Sequence, residues 1–347
     1  MDPIAIGFVF FWNLFPYLSD GKSTCMRVFT GKIFFLIILC FPCFAHGQFW
    51  MQHAGGATID EGADIGIDAA GNSCITGYFT TTANFGALSI GSSGLDDIYV
   101  ASLNTSGIFN WAVKAGGSGS DRALSIKVDA AGNSYITGFF NGTATFGGNT
   151  VISSGVQDIF IAKYDNAGNC VWVQRAGGSG SDIGNGITVD NAGNVIVTGE
   201  FAGSAAFGST TLNSLNGTTD VFTTKLDANG NFLWAKKGSG WLSDRGFDVD
   251  CDASGDIYIT GQFSDTITFD VPHFNTMLNA IFVVKYDAAG NEIWFRKIGN
   301  AAVNISNSLM CDAGGVYLAG DFQGTLTFYG STNTNLSATY ANGIFVA

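Results

Sequence analysis

The sequence predicts an all-β protein, a β-propeller of about five four-stranded antiparallel blades, each built from a repeat of ~61 residues. Three observations carry that expectation. Tryptophan recurs at Trp50, Trp111, Trp172, Trp234 and Trp294, with gaps of 61, 61, 62 and 60 residues. Around each one, short runs rich in β-branched and aromatic residues alternate with Asp-x-x-Gly turns. No window sustains a 3.6-residue apolar period, and 48 Gly against 4 Pro make the turns. A fixed period marks stacked repeats, each too small to bury its own apolar face. Tandem four-stranded units satisfy this as blades, because stacking hides both faces of each sheet.

Taken in order, each copy repeats the same parts. In the third copy's frame, strands are expected over 158–165, 170–176, 186–190 and 195–201. The turn DNAGN (165–169) joins the first two, and its counterpart DAAGN (129–133) joins LSIKV to SYITGFF. Aspartate hydrogen-bonds the turn amides two residues on, and glycine accepts the positive φ of the reversal. In LSIKV, Leu124, Ile126 and Val128 point one way while Ser125 and Lys127 point the other, the period of a strand. Eighteen residues after each tryptophan stand Asp68, Asp129, Asp190, Asp252 and Asp312, which with the tryptophans are the structural anchors of the repeat. Ten residues after it stand Asp60, Asp121, Asp182 and Asp244, then Asn304. Three after it stand His53, Lys114, Arg175, Lys237 and Lys297. The stretch 203–215, with Phe207, reads as an extra hairpin between copies.

The amino end reads as an export signal over 26–47: Arg27 and Lys32 precede the apolar run 33–41, and Ala45-His46-Gly47 offers a cleavage site before Gln48. Residues 1–25 then lie upstream of the true start at Met26. Residues 48–347 hold five tandem repeats, with a partial sixth strand at 343–347, where GIFVA matches DIFIA. Either that strand completes the first blade and closes a ring, or the chain is cut within a sixth copy and the ring is open. Without residues 1–47 the chain keeps 12 basic and 26 acidic residues, a net charge of −14. That charge argues against nucleic acid and anionic membrane as partners. The exported part carries no apolar run long enough to span a membrane, so a secreted or cell-surface location is expected. Cys251 and Cys311 stand where the second copy has Val128, and Cys74 where it has Tyr135, so Cys74, Cys170, Cys251 and Cys311 are expected as buried free thiols, a disulfide in an oxidising compartment being the alternative.

The stretches DIFIAKYDNAGNCVWVQRAGG and GSGSDRALSIKVDAAGNSYITGFF, echoed from Gln48 to Ala347, resemble the SBBP-type β-propeller repeats of secreted bacterial proteins. The resemblance implies an exported or surface component without an assigned reaction. The Asp-x-x-Gly-x-x-x-Trp element from Asp165 to Trp172 is also similar to the docking motif of quinoprotein propellers, which implies that the indole bolts neighbouring blades together.

Candidate sites are few. Asp60, Asp121, Asp182 and Asp244 would fall at equivalent points of successive blades, where carboxylates could hold Ca²⁺ or cap their own loops. The basic residues three after tryptophan are the expected partners of these aspartates. Trp241 breaks the repeat where other copies carry Ala57, Ser118, Ser179 and Ala301, so Trp241, Asp244 and Arg245 form a candidate ligand site. Catalytic material is thin. Beyond residue 47 there are two histidines, His53 and His273, and three glutamates, Glu61, Glu200 and Glu292. Glu200 with Asp321 is the one acid/base couple to weigh; no residue is nominated as catalytic and no cofactor beyond Ca²⁺. The expected function is an exported non-catalytic propeller that binds a protein or a glycan. The alternative is a glycan-active lyase or hydrolase with its site on one propeller face.

Overall fold

The computed structural model describes residues 50–275, 279–299, 304–312, 314–328, 334–337 and 343–347. The segments read as an upstream start and an export signal lie outside the described residues. The described chain is all strand and turn, laid out as successive antiparallel blades. Blade 1 runs from its inner strand, Asp60–Ile67, through Ser73–Phe79 and Asp97–Leu103 to its outer strand, Phe109–Gly117. Blades 2, 3 and 4 repeat this order. Blade 5 has three strands among the described residues, Asn304–Asp312, Gly315–Phe322 and Gly343–Val346. The inner strands of consecutive blades lie side by side and define an axis. The second and third strands of blade 2 are buried at nearly every position, because neighbouring blades cover both faces.

The sequence repeat and the blade are offset by two strands. Of the four strands read as one copy, 158–165 and 170–176 are the third and outer strands of blade 2. The other two, 186–190 and 195–201, are the inner and second strands of blade 3. The chain must cross from the outer edge of one sheet to the inner edge of the next, and the crossing runs through the Gly-Ser loop that follows each tryptophan. Gly116 and Gly177, at φ 135° and 136°, make that bend possible.

The stretch 203–215 is a hairpin, Ser204–Phe207 with Thr210–Asn213. Its further pairing has no signal in the sequence. Such a hairpin is inserted between the second and third strands of its own blade, and those of blades 2, 3 and 5 bond to the outer strand of the preceding one. Gly177 and Gly178 of blade 2 pair with Ala206 and Ala205, and Ala115–Gly117 of blade 1 pair with Phe146–Ala144. The second phenylalanine of the repeat secures this hairpin. Phe146 and Phe207 are buried and meet Phe160 and Phe222 of the third strands at ring-centroid distances of 4.9 Å.

The tryptophans sit half-buried at the blade junctions. Trp111 Nε1 donates to Asn166 O (2.9 Å) and Trp172 Nε1 to Ala228 O (3.2 Å), each in the outer turn of the next blade. The indole lies flat on that turn's glycine: a Cβ on Gly168 would come 2.9 Å from Trp111 Cδ2. Asp-x-x-Gly-x-x-x-Trp is therefore a donor and a receptor in one element, its glycine taking the preceding indole and its tryptophan reaching the following glycine. The anchors Asp68 and Asp129 cap their turns, each accepting from two backbone amides and an asparagine side chain.

At the end of the series, Gly343–Val346 is the third strand of blade 5, paired with Gly315–Phe322, while Ala54–Gly55 pairs with the hairpin strand Thr82–Phe85. Ile65 on the inner strand of blade 1 is 55% exposed, whereas its counterparts Ile126, Ile187, Val249 and Leu309 are buried against the preceding blade.

Candidate functional site

The axis has two ends. At one, the inner strands begin and the junction loops cross between blades; at the other, the Asp-capped turns lie. The junction face carries the residues that sequence reasoning singled out. Trp241 is 64% exposed there, with Leu242 exposed beside it. Arg245, at the start of the inner strand of blade 4, pairs through Nε with Glu200 of blade 3 at 2.8 Å. Asp244 is not available to a ligand, because it is fully buried beneath the loop.

Trp241 does not stand alone. Leu95 is 67% exposed and Val156 63%. Their backbone amides donate to Gly119 and Gly180 in the junction loops of the next blades. Leu215 adds a partly exposed side chain, and its neighbour Thr218 donates to Leu242 O. At three successive junctions the same face thus presents apolar side chains to solvent. The sequence signal was visible in GSSGLDD and SSGVQD, but an apolar residue in a Gly-Ser loop reads as incidental until its exposure is known.

Beneath these loops lie the aspartates ten after tryptophan. Asp121 accepts from Gly117 N (2.6 Å) and Asn141 N (3.0 Å), and Asp182 from Gly178 N (2.7 Å) and Ala202 N (3.0 Å). Asp60 accepts from Gly56 N and Asp244 from Ser264 N. Each caps its own loop. An oxygen engaged by N–H donors is poorly placed to bind Ca²⁺, and among the described residues no group of three or more His, Cys, Asp or Glu could hold a metal. Two of the basic residues three after tryptophan pair elsewhere than with these aspartates. Lys114 reaches Asp97 at 3.8 Å and Arg175 pairs with Asp158. The cause is strand register: Lys114 stands opposite Tyr99, two residues along the same face from Asp97.

The axis itself is lined by residues that sequence reasoning passed over. On the inner strands, Asp64 accepts from Ile126 N and Asp248 from Leu309 N, so a carboxylate of one blade satisfies the free strand edge of the next. Asp250 accepts from Thr188 Oγ1, Cys311 N and Lys127 Nζ, the last across the axis at 3.2 Å. Burial pushes the Asp248 carboxyl up to about 6, helped by the charges of Asp64 and Asp250. The alternation of Ser125 and Lys127 already marked these positions as facing away from the core. At the turn face, Lys127, Asp250, Cys251 and Cys311 line an open cavity of about 540 Å³. The four cysteines described are free, and Cys74 is buried.

The glutamates each have a partner. Tyr78 donates to Glu61 at 2.5 Å, Glu200 pairs with Arg245, and Glu292 lies 2.6 Å from His273 Nε2, whose ring stacks on Phe295. Burial raises the Glu200 carboxyl, with Arg245 opposing. Asp321 accepts from Asn307 Nδ2 at 2.9 Å.

Known proteins resemble this chain in parts. A curated relative, an uncharacterized WD repeat-containing protein of Acanthamoeba polyphaga mimivirus, is 25% identical over 369 residues, covering 83% of this chain. The chain spans 26% of that relative's length. Among solved structures, a protein of unknown function from Bacteroides caccae aligns with TM-score 0.32 and 10% identity, over 68% of this chain and 81% of that one. The Trp149Ala mutant of Synechocystis apocarotenoid oxygenase aligns with TM-score 0.37 and 11% identity, over 76% and 57%. Residues 171–200 match the family model described as the SBBP β-propeller repeat. They run from the outer strand of blade 2 to the second strand of blade 3 and include Trp172, so the chain carries a β-propeller repeat of the SBBP family.

Proposed function

We propose that this chain is an exported, non-catalytic propeller-repeat protein that binds a partner protein through its junction face. One observation carries the reading: Trp241, which replaces a small residue of the other copies, is 64% exposed rather than packed into the core. Large apolar side chains grouped on one surface mark interaction sites. Leu242 beside it, and Leu95 and Val156 on the same face at the other two junctions, are aliphatic, which favours a protein over a glycan, since sugar recognition needs polar groups flanking the aromatic ring. The engagement of Glu200 by Arg245 favours a non-catalytic role, and the signal-like stretch 26–47 supports export.

A photo-crosslinking residue at position 241, compared with one at the exposed peripheral position Val171, tests this on the producing cells. Adducts of one defined protein from position 241 alone support the reading; equal labelling at both positions defeats it. Trp241→Ala should abolish capture while changing stability by no more than about 0.5 kcal/mol, the usual range for exposed positions. Turnover on a glycan panel that Glu200→Gln removes would instead establish the enzyme.

A further inference from the structure

Each of the first three blade junctions buries two carboxyl groups close enough for the charge of one to act on the other. Asp97, at the head of the third strand of blade 1, meets Asp121, at the entry to blade 2. Asp158 meets Asp182 at the next junction, and Asp220 meets Asp244 at the third. All six residues are fully buried. A Cβ added to Gly116 would collide with Asp97 Oδ1 and Asp121 Oδ2 together, and one on Gly177 would strike the Asp158 carboxyl and Asp182 Oδ2. The glycine thus holds open the space in which the two groups converge.

The hydrogen-bond inventory of these pairs is one proton short. Asp97 Oδ1, Asp158 Oδ1, Asp220 Oδ1 and Asp244 Oδ2 are buried oxygens without a donor among the described residues. A buried acceptor left unmade is costly, and two ionised carboxylates in contact repel. One proton placed between the facing oxygens removes both penalties. The surroundings assign its position. A cation lies beside each strand-head aspartate, Lys114 at Asp97, Arg175 at Asp158 and Lys237 near Asp220, whose carboxyl burial nevertheless raises to about 6, so within each pair the negative charge is best held at the strand head. The junction aspartate, Asp121, Asp182 or Asp244, is the acid that donates to it. Other charges facing the pairs are Asp96 at the first junction, itself tied to Arg122, and Asp265 at the third. The repeat supplies an internal control. At the fourth junction the strand-head position is Ala280 and the junction position is Asn304, so both members are replaced together.

We propose that Asp97–Asp121, Asp158–Asp182 and Asp220–Asp244 are three proton-binding sites, each holding one shared proton that locks consecutive blades together, and that losing it to solvent loosens the junction loops. Burial pushes Asp121 and Asp182 up to about 6 and Asp244 to about 8, so the locks release between mildly acid and mildly alkaline conditions. This extends beyond partner binding and stands whether or not a protein docks on the loops above.

Infrared spectroscopy of the whole protein with ¹³C-labelled aspartate reads carboxyl protonation directly. At about pH 5, where ordinary aspartates are ionised, a protonated-carboxyl band should remain and fall in two steps, near 6 and near 8. Asp244→Asn should remove the upper step, and Asp121→Asn and Asp182→Asn should each remove part of the lower one. No protonated band at that pH in the unaltered protein overturns the proposal, as does a titration that all three variants leave unchanged. The unaltered protein alone can refute the idea, so a variant that fails to fold does not shield it.

Discussion

Gly168 shows how one residue is constrained from two sides. Its φ of 85° lies in the left-handed region that side chains resist, and its open face receives the Trp111 indole. Gly168→Ala should cost about 1–2 kcal/mol from backbone strain alone, and more because the methyl group would meet the ring 2.9 Å away. Urea unfolding would measure the loss, and a change in Trp111 fluorescence would place it at the junction. A stability change within error would mean that the indole does not bear on that turn. The same two-sided logic separates the aspartates. Those of the outer turns bond only their own loop, as Asp165 does with Asn169, whereas those of the junctions face a second carboxyl group from the neighbouring blade.

Among elements, the inserted hairpin bonds its own blade to the outer strand of the one before. Phe207 anchors it between Phe222 and Phe232, fully buried. Phe207→Ala should destabilise by about 3–5 kcal/mol, as truncating a buried phenylalanine does, and hydrogen exchange should rise in the outer strand Cys170–Gly178 of the preceding blade as well as in the hairpin. Exchange confined to 204–213 would argue against that coupling. The hairpin was legible in the sequence because Phe207 and the Gly-Ser turn are local signals. Its partner was not, since nothing in the order of residues says that a strand will bond backwards to another sheet. The same limit explains the pairing of Arg175 with Asp158 instead of Asp182: spacing along the chain suggested one carboxylate, and register across the sheet selected the other. The axial residues Asp64, Asp248 and Asp250 escaped notice for a different reason. Ser125 and Lys127 were visible as the polar face of one strand, but the Ser125 position alternates among Asp, Ser and Gly and the Lys127 position differs in every blade, so no single residue type recurs throughout.

For the molecule as a whole, two populations of aspartate pull stability in opposite directions with pH. The Asn169 side chain, with backbone amides, holds Asp165 below its ordinary value, and Asn231 and Asn291 act alike on Asp227 and Asp287. Their contribution is present above the unfolded value of 3.8 and is lost as pH falls through the depressed folded values. The junction aspartates behave conversely. Burial raises them, so the folded protein holds protons that the unfolded chain has released, and that stabilisation fades as pH climbs from about 3.8 through 6 and, for Asp244, towards 8. The melting temperature should therefore peak at about pH 4 and decline from there towards pH 8. A plateau or a rise across that upper range would contradict the assignment.

The backward-bonded hairpin also governs how such a chain can be shortened. A truncation placed after any outer strand leaves that sheet without the two strands its successor would lend, exposing a bare flank at the new terminus. Trimming from the carboxyl end therefore damages the module that is kept, not only the one removed. A sound cut must fall beyond the next loan, so the smallest portable piece is longer than the period counted from tryptophan to tryptophan.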